Sequence, residues 1–270
     1  MATLSVDPVF ARDAQSVKIL GVNMSAVNME EALDLTETLI ETQGKGYVCV
    51  TGVHGIMEAQ ASPEFLNILN GSFLCVPDGM PSVWIGHLYG HRSMQRVYGP
   101  DFMLALCARS CEKGYRHFFY GGNVGVAQEL RQRLVSLYPE LRVAGTYTPP
   151  FRPLNGVESA SLRQQVAAAK PDIVWVGLST PKQERFMRDS LASLDTHLMV
   201  GVGAAFDIHT GRIKDAPAWI KQAGLQWLHR LSQEPRRLAR RYVVNNPLFL
   251  AKVGWQMLSD SLSGRLRLRP

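Results

Sequence analysis

Short apolar runs that end in glycine or a polar turn alternate with helical stretches along the first 210 or so residues. This rhythm restricts the fold, because strands joined through crossover helices pair in parallel and are covered on both faces. The strand-like runs are Lys18–Val22, Tyr47–Thr51, Phe73–Val76, His117–Tyr120, Leu141–Gly145, Asp172–Leu178 and Leu198–Val202. Helices are predicted at Asn28–Glu41, Val124–Leu137, Glu158–Ala169 and from Lys182 onward. The sequence therefore predicts an α/β fold, with a mostly parallel sheet flanked by helices. Ligands of such sheets sit beyond the carboxyl ends of the strands. Pro77-Asp78-Gly79, Gly121-Gly122 and Gly203 fall at those ends.

The rhythm stops after about residue 215. Residues 1–215 read as the core, and residues 216–270 as a basic helical C-terminal appendage rich in Trp, Leu and Arg. From Arg212 to Pro270, 12 Lys and Arg stand against 3 Asp and Glu, a net of +9 in a chain whose total is +6. The rest of the chain is slightly acidic. The appendage is expected to meet something anionic: lipid head groups, a diphosphate or nucleic acid. Its basic residues are interleaved with Trp and Leu at helical spacing, which suits an interfacial helix and disfavours nucleic acid. The same surface could pair subunits, which leaves a homo-oligomer open. Removing it is expected to leave a folded core with little activity.

The N-terminus from Met1 to Asp7 has no basic start or long apolar core, so no signal peptide is expected. No stretch approaches the ~18 apolar residues of a membrane span. Cys49, Cys75, Cys107 and Cys111 show no zinc spacing and read as buried free thiols.

Asp78 at a strand end is ordinarily a turn former or helix cap. Read for chemistry, it is a general base at the mouth of a sheet. Arg96 is a surface charge or a phosphate-holding fork, and Asp101 a first-turn carboxylate. Gly121-Gly122-Asn123 could let backbone amides approach a nucleotide. Gln183, in Pro181-Lys182-Gln183-Glu184, is placed to hydrogen-bond a ligand at a strand's carboxyl end. Asp207 reads as a turn residue or as a partner for a ribose or base edge. No Asp-x-Asp pair occurs in the chain. A nucleotide-sugar diphosphate would therefore have to be neutralised by cationic side chains.

Together the segments VTGVHGIMEAQASPEF, CVPDGMPSVW, RVYGPDFM, FFYGGNVGVA, VGLSTPKQERF, VGVGAAFDIHTGRIKDAPAWI and GLQWLHRLSQEPRRLARRYVVNNP resemble the WecG/TagA/CpsF glycosyltransferases. They follow the family's order over about residues 18–250. The resemblance implies a Rossmann-like core and an inverting transferase that uses no metal or cofactor. It implies a UDP-sugar donor, of N-acetylmannosamine, glucose or glucuronic acid type, and a polyprenyl diphosphate-linked sugar acceptor. The product would enter a cell-surface polymer or exopolysaccharide. By the same resemblance Asp78 is the base, and Arg96 is a second catalytic residue, expected to stabilise the charge growing on the departing UDP. Thr51, His54, Asp101, Gly122, Gln183 and Asp207 bind substrate. Arg230, Arg236, Arg237 and Arg240 of the appendage close over the diphosphate. The enzyme is expected in the cytoplasm, peripheral on the inner face of the cell membrane. One departure stands out: Gly52 occupies the position where the family usually carries Asn. That leaves a second expectation, a protein of this fold that binds UDP-sugars without turnover.

Overall fold

The computed structural model describes residues 15–264. The stretch from Met1 to Asp7 and the side chain of Arg241, which belongs to the basic stripe of the appendage, lie outside the described residues. In chain order, β1 (Ser16–Ile19) and β2 (Val22–Ser25) precede α1 (Met29–Glu41). Next come β3 (Gly46–Thr51), α2 (Val53–Ala61), α3 (Pro63–Asn70), β4 (Leu74–Pro77), α4 (Met80–Leu88) and α5 (Gly99–Lys113). Then follow β5 (Arg116–Gly121), α6 (Val126–Leu137), β6 (Arg142–Tyr147), α7 (Gly156–Ala169), β7 (Ile173–Gly177), α8 (Lys182–Ser190) and β8 (Leu198–Gly201). Helices α9 (Ala205–His209), α10 (Ala218–Gln222), α11 (Gln226–Gln233) and α12 (Pro235–Leu262) complete the described residues.

Strands β3 to β8 form a six-stranded sheet, ordered β4-β3-β8-β7-β5-β6, in which every pairing is parallel. Its central strands are apolar on both faces, as a sheet with helices on either side requires. Along β7, Val174 and Val176 enter one core cluster while Ile173 and Trp175 enter the other. Each such side chain contributes about 1.5–3 kcal/mol by leaving water. The helix starts are encoded locally. Asn28 accepts from the Glu31 N–H at 3.0 Å, while Glu31 accepts from the Asn28 N–H at 2.9 Å, a reciprocal cap at the predicted start of α1.

The reading of Lys18–Val22 as one strand is corrected by the structure. Leu20 and Gly21 take φ of 48° and 85°, and β1 turns back onto β2 as an antiparallel hairpin outside the main sheet. A two-residue turn with both φ positive matches the twist of paired strands. Helices α2, α3 and α4 were not anticipated. Helix α4 alternates no polar face with its apolar one, so periodicity carries no signal there.

After β5 the chain moves outward to β6, whereas after β7 it moves inward to β8. The connections part at this point, leaving a crevice beyond the strand ends. Glycine keeps the two strand ends close. The Gly122 N–H donates to the Gly177 carbonyl at 3.0 Å, and a Cβ on Gly121 (φ +128°) would lie 2.5 Å from that oxygen.

The C-terminal helices α10 to α12, which carry the expected appendage, lie against this end of the sheet, and α12 runs back over the rest of the fold. Phe249 (2% exposed) and Val253 of α12 join a core cluster. Gln256 clasps the hairpin, donating to the Lys18 carbonyl at 2.8 Å and accepting from the Leu20 N–H at 2.7 Å. The Tyr89 hydroxyl donates to Asp260 at 2.6 Å. The four cysteines are free thiols, with Cys49 and Cys75 facing each other across β3 and β4. Burial pushes the Cys75 thiol up to about 12, so it packs as a small apolar group.

Candidate active site

A cleft of about 1410 Å³ opens at the carboxyl ends of the strands and is bounded on one side by the appendage. It exceeds the few hundred to ~1,000 Å³ of a single small-molecule pocket. Asp78, Arg96, His54, Gly122, Gln183, Asp207, Arg230 and Arg237 all line it.

Asp78 follows β4 directly and is gripped by its neighbours. Its N–H donates to the Thr51 carbonyl at 3.1 Å, and its Oδ1 accepts from the Gly99 N–H at 3.3 Å. Nε of Arg96 donates to the Asp78 carbonyl oxygen. Burial raises the Asp78 carboxyl above its ordinary value, against the opposing pull of Arg96, the Gly99 N–H and Arg230. Gly52 has no side chain to cap α2, and a Cβ there would lie 3.7 Å from Asp78 Oδ2. The position that departs from the family pattern thus borders the carboxylate itself.

Asp207 stands in α9. Burial raises its carboxyl too, and the charges of Arg212, Arg230 and Arg237 oppose the rise. Arg230 therefore acts on both carboxylates of the cleft. Glu234 bridges the appendage arginines, accepting from Arg230 at 2.9 Å and Arg237 at 2.6 Å. His54 lies near Asn245 of α12, with 3.4 Å between Nδ1 and Nδ2, and 3.7 Å from Glu58.

Gln183 is buried (3% exposed). Its Oε1 accepts from the Gly203 N–H at 2.9 Å and its Nε2 donates to Glu184 at 3.0 Å. Its amide ties two cleft loops together. Four expected contacts do not line the cleft. Thr51 is buried at the end of β3, its methyl packed beneath Gly55. Asp101 sits exposed in the first turn of α5, 3.5 Å from Lys221. Arg236 and Arg240 of α12 are exposed and stand outside the cleft, which Arg237 lines. The offset of one residue on a helix, about 100°, separates Arg236 from its neighbour.

Sequence reasoning missed Tyr98, Asp215, Lys221 and Gln226. The Tyr98 hydroxyl donates to Asp215 at 2.9 Å, and Lys221 lies 2.5 Å from the other Asp215 oxygen. No local pattern links these residues, since only the docking of the appendage brings them together. Among the described residues, no three His, Cys, Asp or Glu side chains gather as a metal site would need.

Glu184 is nearly inaccessible (1% exposed). Its Oε1 accepts from Thr180 and Gln183, while its Oε2 has no partner. Burial raises its carboxyl above the ordinary value. The folded state thus holds this proton more tightly than the unfolded chain. Its contribution to stability falls as pH rises from the ordinary carboxylate value towards the raised one. Glu184→Gln keeps the shape without the charge. It is expected to melt at least as high as the native protein near pH 8, with the difference vanishing near pH 4. A much lower melting temperature at pH 8 would show that the ionised carboxylate is the stabilising form.

The chain matches the model of the glycosyl transferase WecG/TagA/CpsF family over residues 17–262. It is 30% identical over 178 residues to an N-acetylglucosaminyldiphosphoundecaprenol N-acetyl-beta-D-mannosaminyltransferase of Bacillus subtilis (strain 168), spanning 66% of this chain and 67% of that one. A protein of the same description from Bacillus spizizenii is 30% identical over 205 residues, or 76% and 78% of the two chains. With the cleft at the end of a parallel sheet, these matches make the chain a glycosyltransferase. It belongs to the WecG/TagA/CpsF family.

Proposed function

We propose that the protein transfers a sugar from a UDP-sugar to a sugar carried on a polyprenyl diphosphate. The observation that carries this reading is the pairing of one gripped carboxylate, Asp78, with appendage arginines across a single cleft. Asp78 takes the proton of the acceptor hydroxyl as that oxygen attacks the anomeric carbon. Attack opposite the leaving UDP inverts the centre, so an α-linked donor gives a β-linked product. Arg96, Arg230 and Arg237 stabilise the charge growing on the diphosphate without a metal ion. Gly122 and Asp207 border the nucleotide. The donor carries N-acetylmannosamine, glucose or glucuronic acid, and the product enters a cell-surface polymer. The names of the two Bacillus relatives support the lipid-linked acceptor and an N-acetylmannosaminyl donor. The test is the one-bond carbon–proton coupling at the new anomeric centre in the purified product, which separates the two anomers of a manno sugar as well as of a gluco sugar. A β configuration formed in the presence of EDTA is expected, and an α product would overturn the inverting mechanism.

The same reading divides the chain near residue 215 into a catalytic core and an appendage that lies on the inner face of the cell membrane. Among the described residues, no helix is long and apolar enough to cross a membrane. Yet the appendage exposes Trp219, Val243, Leu250, Trp255 (75% exposed) and Leu262 beside its basic residues. Apolar anchors with cations nearby suit an anionic bilayer surface. The protein is expected to sediment with vesicles containing anionic lipid and to release at high salt. Equal recovery with neutral vesicles, or a shift of nucleic acid, would contradict this.

A further inference from the structure

Arg96 touches the candidate base on one side and the appendage on the other. While its Nε donates to the Asp78 carbonyl, a terminal nitrogen donates to Oε1 of Gln226, 130 residues further along the chain, on α11. The guanidinium carbon lies 4.2 Å from the centre of the Tyr98 ring, a cation–π distance. Asp215 closes the circuit. Its Oδ1 accepts from the Tyr98 hydroxyl at 2.9 Å and from Gln226 Nε2 at 3.4 Å. Lys221 braces the far side, 2.5 Å from Asp215 Oδ2 and 4.6 Å from the Tyr98 ring centre.

A long arginine side chain free to rotate would spread its charge over many positions. Here the Tyr98 ring, the Gln226 amide and the Asp78 carbonyl leave it one. Two of the holding groups, Gln226 and Lys221, belong to the appendage. We infer that Gln226 and Asp215 are positioning residues that hold the Arg96 guanidinium against Asp78, so that docking of the appendage completes the base. This rests on the reading of Asp78 as the base. When the appendage is docked, a fixed cation favours the ionised carboxylate. When α11 lifts away, Arg96 loses its Gln226 acceptor and Arg230 leaves with the helix, so less positive charge faces Asp78, which favours the protonated, inactive acid. Turnover is then confined to molecules whose appendage is seated.

The test is the pH dependence of kcat/KM for the full-length chain, with UDP-sugar and a short polyprenyl diphosphate-linked sugar. Gln226→Ala is expected to move the acid limb to higher pH by at most about one unit, because Arg96 acts on the carboxylate through space and touches only its backbone carbonyl. Tyr98→Phe keeps the ring beneath the guanidinium and cuts only the strut to Asp215. It should move the limb in the same direction by less, and it guards against a folding defect in the first variant. Gln222→Ala, at an exposed position of α10 outside this circuit, should reproduce the native profile. A uniform loss of rate with an unmoved limb in both Gln226→Ala and Tyr98→Phe, while Asp78→Asn is inactive, would overturn the inference and leave the base assignment standing. Normal turnover by Asp78→Asn would overturn both.

Discussion

Asp78→Asn is expected to lower kcat by about 10²–10⁴-fold in a protein that folds normally. The fold should survive because Asn keeps an oxygen to accept from the Gly99 N–H, and the backbone contacts to Thr51 and Arg96 do not involve the side chain. What disappears is the group that takes the acceptor proton, at a cost of roughly 3–5 kcal/mol in the barrier. The pH profile gives a second handle. A base works only when ionised, and burial raises this carboxyl above its ordinary value. Native kcat/KM should therefore fall, as pH drops, at a higher pH than an unperturbed aspartate would dictate. In Asp78→Asn the small residual rate should lose that limb. Turnover close to native in a well-folded variant would remove Asp78 from the mechanism.

Replacing Arg230 and Arg237 together by alanine is expected to reduce kcat/KM by about 10²–10³-fold, the usual effect of removing a charge-stabilising donor. Both side chains line the cleft and are bridged by Glu234. Their loss leaves a leaving diphosphate facing Asp207 and Glu234 with its main cations gone. The affinity for UDP should fall as well, since the product carries the same charge. Arg236→Ala is the internal comparison, because Arg236 is exposed and does not line the cleft. Titration calorimetry with UDP and steady-state rates on the same variants check this. Equal losses from Arg236→Ala and from the double variant would mean that net charge on the appendage matters and the placement of its arginines does not.

The core was legible in the sequence where it is specified locally. Strand β7 reads directly from Asp172–Leu178, since a strand buried on both faces must be apolar throughout. The start of α1 reads from Asn28 and Glu31. Lys18–Val22 was misread because a turn through Leu20 relies on distant support: its N–H and carbonyl are held by Gln256 and Gln60. The site followed the same division. Asp78 and Gly122 sit at strand ends, and Asp207 in the short helix that follows β8, on the side where a sheet of this kind places its ligands. Gln183 follows β7 into the cleft lining, but its partners, Gly203 and Glu184, are chosen by tertiary packing. The circuit through Tyr98, Asp215 and Gln226 exists only because α11 returns to the sheet, and nothing in its local spacing announces it.

The most direct test is UDP release from a panel of UDP-sugars, with a short polyprenyl diphosphate-linked sugar as acceptor and EDTA throughout. The account predicts release that depends on the acceptor, from one donor above the rest, undiminished by EDTA. Tight UDP binding with no acceptor-dependent release from any donor, across a range of lipid-linked sugars, would contradict it and leave a nucleotide-sugar-binding protein that has kept the fold without the chemistry.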